Sequence, residues 1–224
     1  MGATITQITV TGADNNVDSN ALHDLRREHP SVEWGILYDP EQRGGARYPD
    51  NRWIRTFLRN CREGSKALHL RGKAVGQFVE GDAGLAKLAA EFNRVQLDIW
   101  RGTVTFTVGD LDAAIAGFKK PVIIPYNRVT KDMAGRLTAP NRMILFNDLA
   151  VQANPPPPLE HTRCGYDCGL NEKTLPSSLP KILNAAVGHR VWIALEEGGA
   201  RDYHDFFDPA RVVRSLQIVA SLTK

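Results

Sequence analysis

The stretch Ala67-Leu68-His69-Leu70-Arg71 alternates small or polar residues with leucine. In an extended chain, alternate side chains share a face, so His69 and Arg71 point together, away from Leu68 and Leu70. Histidine titrates near neutrality and can carry a proton in either direction. The neighbouring guanidinium disfavours imidazolium and suits an anionic group. Carboxylates that could work with this pair, Asp98, Asp148 and Glu196, each stand at the end of a β-rich apolar run. In a partly dry pocket carboxylates acquire raised pKa values, which makes Asp98 and Glu196 acid–base partners. Glu33 lies within an apolar run before Trp34 and is either turned toward the same site or salt-bridged, since buried carboxylates are rare without a partner. Asp14, Asn127, Asn147 and Tyr166 complete the polar residues at run ends. Arg47 belongs to a Gly- and Pro-containing loop, 39–50, of a kind that often closes over a substrate; the plainer alternative is a solvated loop arginine.

Other chemistries find less support. His69 is the one histidine among these positions, and no H-x-H or H-E-x-x-H pattern occurs, so a catalytic metal is not expected. Cys164 and Cys168 form a C-x3-C pair without a second pair, which argues against a structural zinc. With Cys61 they make three cysteines, an odd set read as free thiols in a reducing, cytoplasmic setting. No G-x-G-x-x-G or phosphate-loop pattern is present, and no cofactor is expected. The 28 basic and 25 acidic residues leave a net charge of +3, too mild to suggest a nucleic-acid partner. No run approaches the roughly 20 apolar residues that span a bilayer, and the first ten residues do not form a secretory signal. The partner these features favour is a small anionic molecule; oligomeric state is left open.

The elements that would position these residues follow one rhythm: a short β-rich run, a polar loop, then a helix-like segment. Runs at 5–11, 32–38, 66–70, 94–99, 121–125, 142–146, 163–166 and 191–195 predict eight strands. Helices are predicted near 20–28, with Asp18 or Ser19 as cap, and around Trp53-Ile54 and Phe57-Leu58. Further helices follow up to Phe78 and near 85–92, 111–118, 179–186 and 209–222. The tract Asn154-Pro155-Pro156-Pro157-Pro158 predicts a stiff extended loop. The chain of 224 residues therefore reads as α/β, a (β/α)8 TIM barrel forming a single domain over 1–224. In such a barrel the C-terminal ends of the strands form the mouth where ligands bind.

Several run ends also match a known family in order and spacing. Val95-Gln96-Leu97 looks like a V-Q-L-H-G fourth strand with Asp98 in place of its histidine. Gly169-Leu170-Asn171 looks like a G-G-L-N turn after strand seven, with Cys168 for the first glycine. Glu196-Glu197-Gly198-Gly199 looks like the S-S-G-V segment after strand eight, and Arg47 in Ala46-Arg47-Tyr48-Pro49 like the arginine of an S-P-R loop. The chain thereby resembles phosphoribosylanthranilate isomerase. That resemblance implies a barrel, a sugar-phosphate-like ligand, and oxyanion contacts from Gly169, Gly198 and Gly199. It also marks two departures. Thr11 in Thr9-Val10-Thr11-Gly12 stands where the family keeps its general-base Cys, and Asn147 stands where it keeps its general-acid Asp, with Asp148 one residue later. A threonine hydroxyl is a poor base without an activating neighbour, and asparagine donates no proton as an acid. The family's own reaction is therefore not expected.

The functional expectation is an isomerase- or lyase-type enzyme acting on a small anionic compound. His69, Asp98, Asp148 and Glu196 would move protons; Thr11, Asp14, Glu33, Arg47, Arg71, Asn127, Asn147, Tyr166 and the three glycines would bind. The alternative from another class is a barrel that binds or sequesters a nucleotide-like or phosphosugar ligand without turning it over.

Overall fold

Parallel strands of alternating inward and outward side chains close here into a ring. In the computed structural model, which describes residues 2–99, 106–195 and 197–223, the strands are β1 (Thr4–Thr11), β2 (Val32–Tyr38), β3 (Lys66–Leu70), β4 (Arg94–Leu97), β5 (Val122–Tyr126), β6 (Arg142–Phe146), β7 (Cys164–Tyr166) and β8 (Arg190–Leu195). They lie in sequence order, all parallel, and β8 pairs back onto β1. This is the expected (β/α)8 barrel.

The helices form where capping and apolar spacing allow. Asp18 accepts from Asn20 N at the start of α1 (Ser19–Glu28), and Asp50 accepts from Trp53 N at the start of α2 (Asn51–Asn60). Two helices, α3 (Lys73–Glu80) and α4 (Ala83–Ala89), fill the β3–β4 connection. Thr107 and Asp110 form a capping box on α5 (Val108–Gly117). The short α6 (Lys131–Arg136) and single-turn α7 (Ala150–Ala153) precede α8 (Leu175–Ala185) and α9 (Pro209–Leu222).

Alternation along the strands sorts the core into two parts. Outward residues such as Val10, Trp34, Leu68, Leu70, Val95 and Phe146 pack with helix residues Leu22, Ile54, Phe57, Leu111, Ile182 and Val212 in one cluster. Inside the barrel, Ile123, Met143, Leu145 and Trp192 form a separate small cluster. The proline tract descends outside β7 where a helix would otherwise lie, and Tyr166 Oη donates to Pro156 O at 2.7 Å.

Two expected site residues do not face the mouth. Glu33 is the second residue of β2, opposite Thr9, so it lies toward the barrel floor and not the mouth. Its carboxylate accepts from Thr9 Oγ1 at 2.9 Å, Gln7 Nε2 at 3.0 Å, Ser65 Oγ at 2.6 Å and Arg94 Nε at 2.9 Å. The Arg94 guanidinium in turn stacks 4.6 Å from the centre of the Trp192 ring. Tyr166 ends β7 but faces outward, tilted against Phe146 at 5.3 Å between ring centres. Burial pushes its phenol pKa up. Parity explains this placement. Gly165 is the inward residue of β7, where an added Cβ would overlap the Trp192 indole.

Candidate functional site at the barrel mouth

The upper interior is built around β1 to β4. Strand register places Thr11 opposite Gly35 and His69 opposite Gln96. Gly35 has no side chain to separate its neighbours. A Cβ there would come within 2.5 Å of Thr11 Oγ1 and 2.9 Å of His69 Nε2, so these two groups fill the space over one glycine. Thr11 is 1% exposed, and its hydroxyl has no hydrogen-bond partner among the described residues. A buried hydroxyl left in that state costs about 1–3 kcal/mol unless something else satisfies it.

His69 is completely buried, deeper than a mouth-lining residue was expected to be. Burial lowers its pKa to about 4, against the opposing pull of Asp98 and Glu33; Arg71 and Arg94 lower it further. The imidazole is therefore neutral at pH 7, as expected, though desolvation and not the neighbouring cation is the main cause. This has a consequence for stability. In the unfolded chain the same histidine titrates near 6.5, so between pH 6.5 and pH 4 the unfolded state binds more protons. Stability is thus full above pH 6.5 and falls as pH drops through this window, by about 3 kcal/mol at 1.36 kcal/mol per pH unit. Urea unfolding at pH 7 and pH 4.5, on the protein and on His69→Asn, checks this. The loss between the two pH values should shrink markedly in the variant.

Above His69, Arg71 Nε donates to Asp98 Oδ2 at 2.6 Å, while Gln96 Nε2 donates to Asp98 Oδ1 at 2.8 Å. Arg71 Nη1 also reaches Tyr48 Oη at 3.3 Å. Asp98 and Arg71 are therefore an ion pair at the mouth, so the anion-binding arginine expected from the sequence already holds a carboxylate. Arg47 is likewise paired, through Nε to Asp205 Oδ1 at 2.9 Å. Its backbone N donates to Asp14 Oδ2 at 3.0 Å, which makes Asp14 a brace between the loops after β1 and β2. Arg201 shares that carboxylate at 3.0 Å.

On the other side of the mouth, Asn127 Nδ2 donates to Asn147 Oδ1 at 2.9 Å. Asn127 Oδ1 meanwhile accepts from Val129 N at 2.8 Å, so this asparagine shapes its own loop. Asp148 accepts from Ala150 N at 3.1 Å, and this backbone bond holds its carboxyl below the ordinary range. The same bond makes Asp148 the cap of the turn that opens α7. Gly169, at φ 69°, and the 3-10 turn Glu197–Gly199 come together at the ends of β7 and β8. Leu170 O would lie 2.7 Å from a Cβ on Gly199, so the backbones there approach too closely for a side chain, whereas a Cβ on Gly198 would make ordinary contact with Asn171 Nδ2 at 3.7 Å. Glu196 lies outside the described residues.

Sequence reasoning missed Arg201 and Asp205, which sit in a loop without pattern. It also missed Gln96, whose inward parity could have been counted from Asp98. Among the described residues no group of three His, Cys, Asp or Glu side chains is placed to hold a metal ion. Among the same residues no helix is long and apolar enough to cross a membrane.

No protein-family profile matches the chain, and no curated protein sequence matches it. Solved structures do. A truncated 3-deoxy-D-arabino-heptulosonate 7-phosphate synthase from Thermotoga maritima superposes with a TM-score of 0.57 at 10% identity, covering 99% of this chain and 87% of that one. A mandelate oxidase mutant bound to benzaldehyde gives 0.55 at 10% identity over 99% and 75%. The Amycolatopsis orientalis BexX/CysO complex gives 0.52 at 10% identity over 98% and 89%. At this identity the likeness is one of fold, and it places the chain among (β/α)8 barrels.

Proposed function

We propose that the barrel mouth is the active site of an isomerase- or lyase-type enzyme that moves protons on a small anionic compound. The observation that carries this reading is the buried Thr11 hydroxyl, without a partner among the described residues, packed beside the neutral imidazole of His69. A neutral imidazole can accept a proton, and a hydroxyl held dry beside it is suited to hydrogen-bond the reacting group. Asp98, fixed by Arg71 and Gln96, lies above them and orients what enters. Glu196, the residue after Leu195 in the sequence, is proposed as a second proton carrier. The glycine corner formed by Gly169, Gly198 and Gly199 is proposed to face the ligand's acid group. The whole chain, 1–224, is proposed to act as one domain and to use its own side chains without a cofactor. The motif likeness to phosphoribosylanthranilate isomerase supports a related ligand shape, while Thr11 and Asn147 support a different reaction.

Mass spectrometry of small molecules carried by the purified protein identifies the ligand, and turnover follows from whether it is recovered altered. Thr11→Val then tests the central contact. Valine matches threonine in shape and lacks the hydroxyl, so ligand binding should weaken by about 1 kcal/mol or more while the melting temperature holds or rises. Unchanged affinity in this variant would remove Thr11 from the site. A ligand recovered intact from every preparation would favour the binding protein over the enzyme.

A further inference from the structure

Two guanidinium groups converge on one carboxylate at the edge of the mouth. Arg47 Nε donates to both oxygens of Asp205 at 2.9 Å, and Arg201 Nε donates to Oδ1 at 2.8 Å. Arg201 is 2% exposed and is anchored independently of that carboxylate, by Asp14 Oδ2 at 3.0 Å and by Gly12 O. Arg47 is anchored through its own backbone N, which donates to Asp14. The Arg201 guanidinium therefore keeps its place if the Asp205 side chain leaves, and Arg47 stays fixed at its backbone.

Asp205 is held differently. Its side chain is 40% exposed, and it sits at φ 65° on a tight turn closed by Asp202 N donating to Phe206 O at 2.8 Å. Both arginines hold its carboxyl below the ordinary range, Arg47 most of all. A partly exposed ion pair is weak, because water screens it and two side chains must be ordered to make it. Paired arginines with fixed donors, by contrast, are the usual means of holding a carboxylate or phosphate.

We infer that Arg47 and Arg201 form an oxyanion site at the barrel mouth whose occupant in the free protein is the chain's own Asp205. A carboxylate or phosphate on the incoming ligand takes the two Nε donors, and the Asp205 side chain turns toward solvent while Arg201 Nη2 keeps its bond to the Asp205 carbonyl. This rests on the reading that the ligand is anionic, and is independent of the proton chemistry assigned to His69.

The test is inorganic phosphate binding, followed by calorimetry at constant ionic strength. Asp205→Gly removes this carboxylate and places glycine where φ is positive, a conformation it adopts without strain. Asp205→Asn, which also tolerates that region, serves if the glycine variant does not fold. Either variant should bind phosphate about tenfold more tightly than the unaltered protein, a difference of about 1.4 kcal/mol. Adding Arg47→Ala to it should reverse the gain. Phosphate affinity unchanged or lowered in both Asp205 variants would overturn the inference, as would a gain that survives Arg47→Ala. Because no substrate is present, a failed proton-transfer role for His69 leaves this result intact. Failure here with His69-dependent turnover preserved would remove only the oxyanion site.

Discussion

Glu33→Ala is expected to destabilise the fold by about 3–5 kcal/mol, as truncating one partner of a buried ion pair does. Glu33 has no exposed surface, and the Arg94 side chain beside it is 5% exposed. The substitution leaves a guanidinium on the barrel axis with Thr9 and the Trp192 face but no counter-charge. It also removes the acceptor used by Gln7, Thr9 and Ser65. Guanidinium chloride unfolding measures the loss. The double variant Glu33→Leu/Arg94→Met should recover most of it, because two apolar groups of similar volume bring neither a bare charge nor an empty space. A single substitution costing under about 1 kcal/mol would mean that water reaches the floor and screens the pair.

His69→Asn should lower turnover of the natural ligand by at least about a hundredfold, the usual contribution of a positioned proton carrier. Asparagine preserves some hydrogen bonding in a similar volume but does not titrate, so the effect should fall on kcat more than on folding. Melting temperature and kcat measured on the same variant separate the two roles. If His69 were only a packing residue, the variant would be destabilised while its folded fraction kept full activity; that outcome would end the proposed role.

The barrel itself was legible because alternation is a local property. Ala67 to Arg71 alone fixed which side of β3 carries His69, and the outward packing of Leu68 and Leu70 follows from the same count. What was not legible is distance along a strand and partnership across the barrel. Glu33 and His69 both face inward, yet one is near the start of its strand and the other near the end, so one lies at the floor and the other beneath the mouth. Tyr166 shows the sensitivity to parity, since Gly165 takes the inward position beside it. Arg71 and Arg47 were read as open to an anion. Their carboxylates, Asp98 and Asp205, lie 27 and 158 residues away, and no spacing rule connects such pairs. Arg201, which ties the loop after β8 to the loop after β1, has no pattern around it at all.

The barrel also has a seam. β7 is only three residues long, and the layer outside it is a proline tract in place of a regular helix, so few backbone bonds stitch this part of the ring. Two rivets compensate, one on each side. Inside, the Trp192 indole of β8 lies flat over Gly165, a fit that any side chain at 165 would prevent. Outside, Tyr166 pins the proline segment through its hydroxyl. The ring is thus fastened at its narrowest strand by aromatic side chains more than by its ladder. Gly169 follows that same strand, and Gly198 and Gly199 follow β8, so this stretch of the rim stands on the two strands that these aromatic contacts fasten.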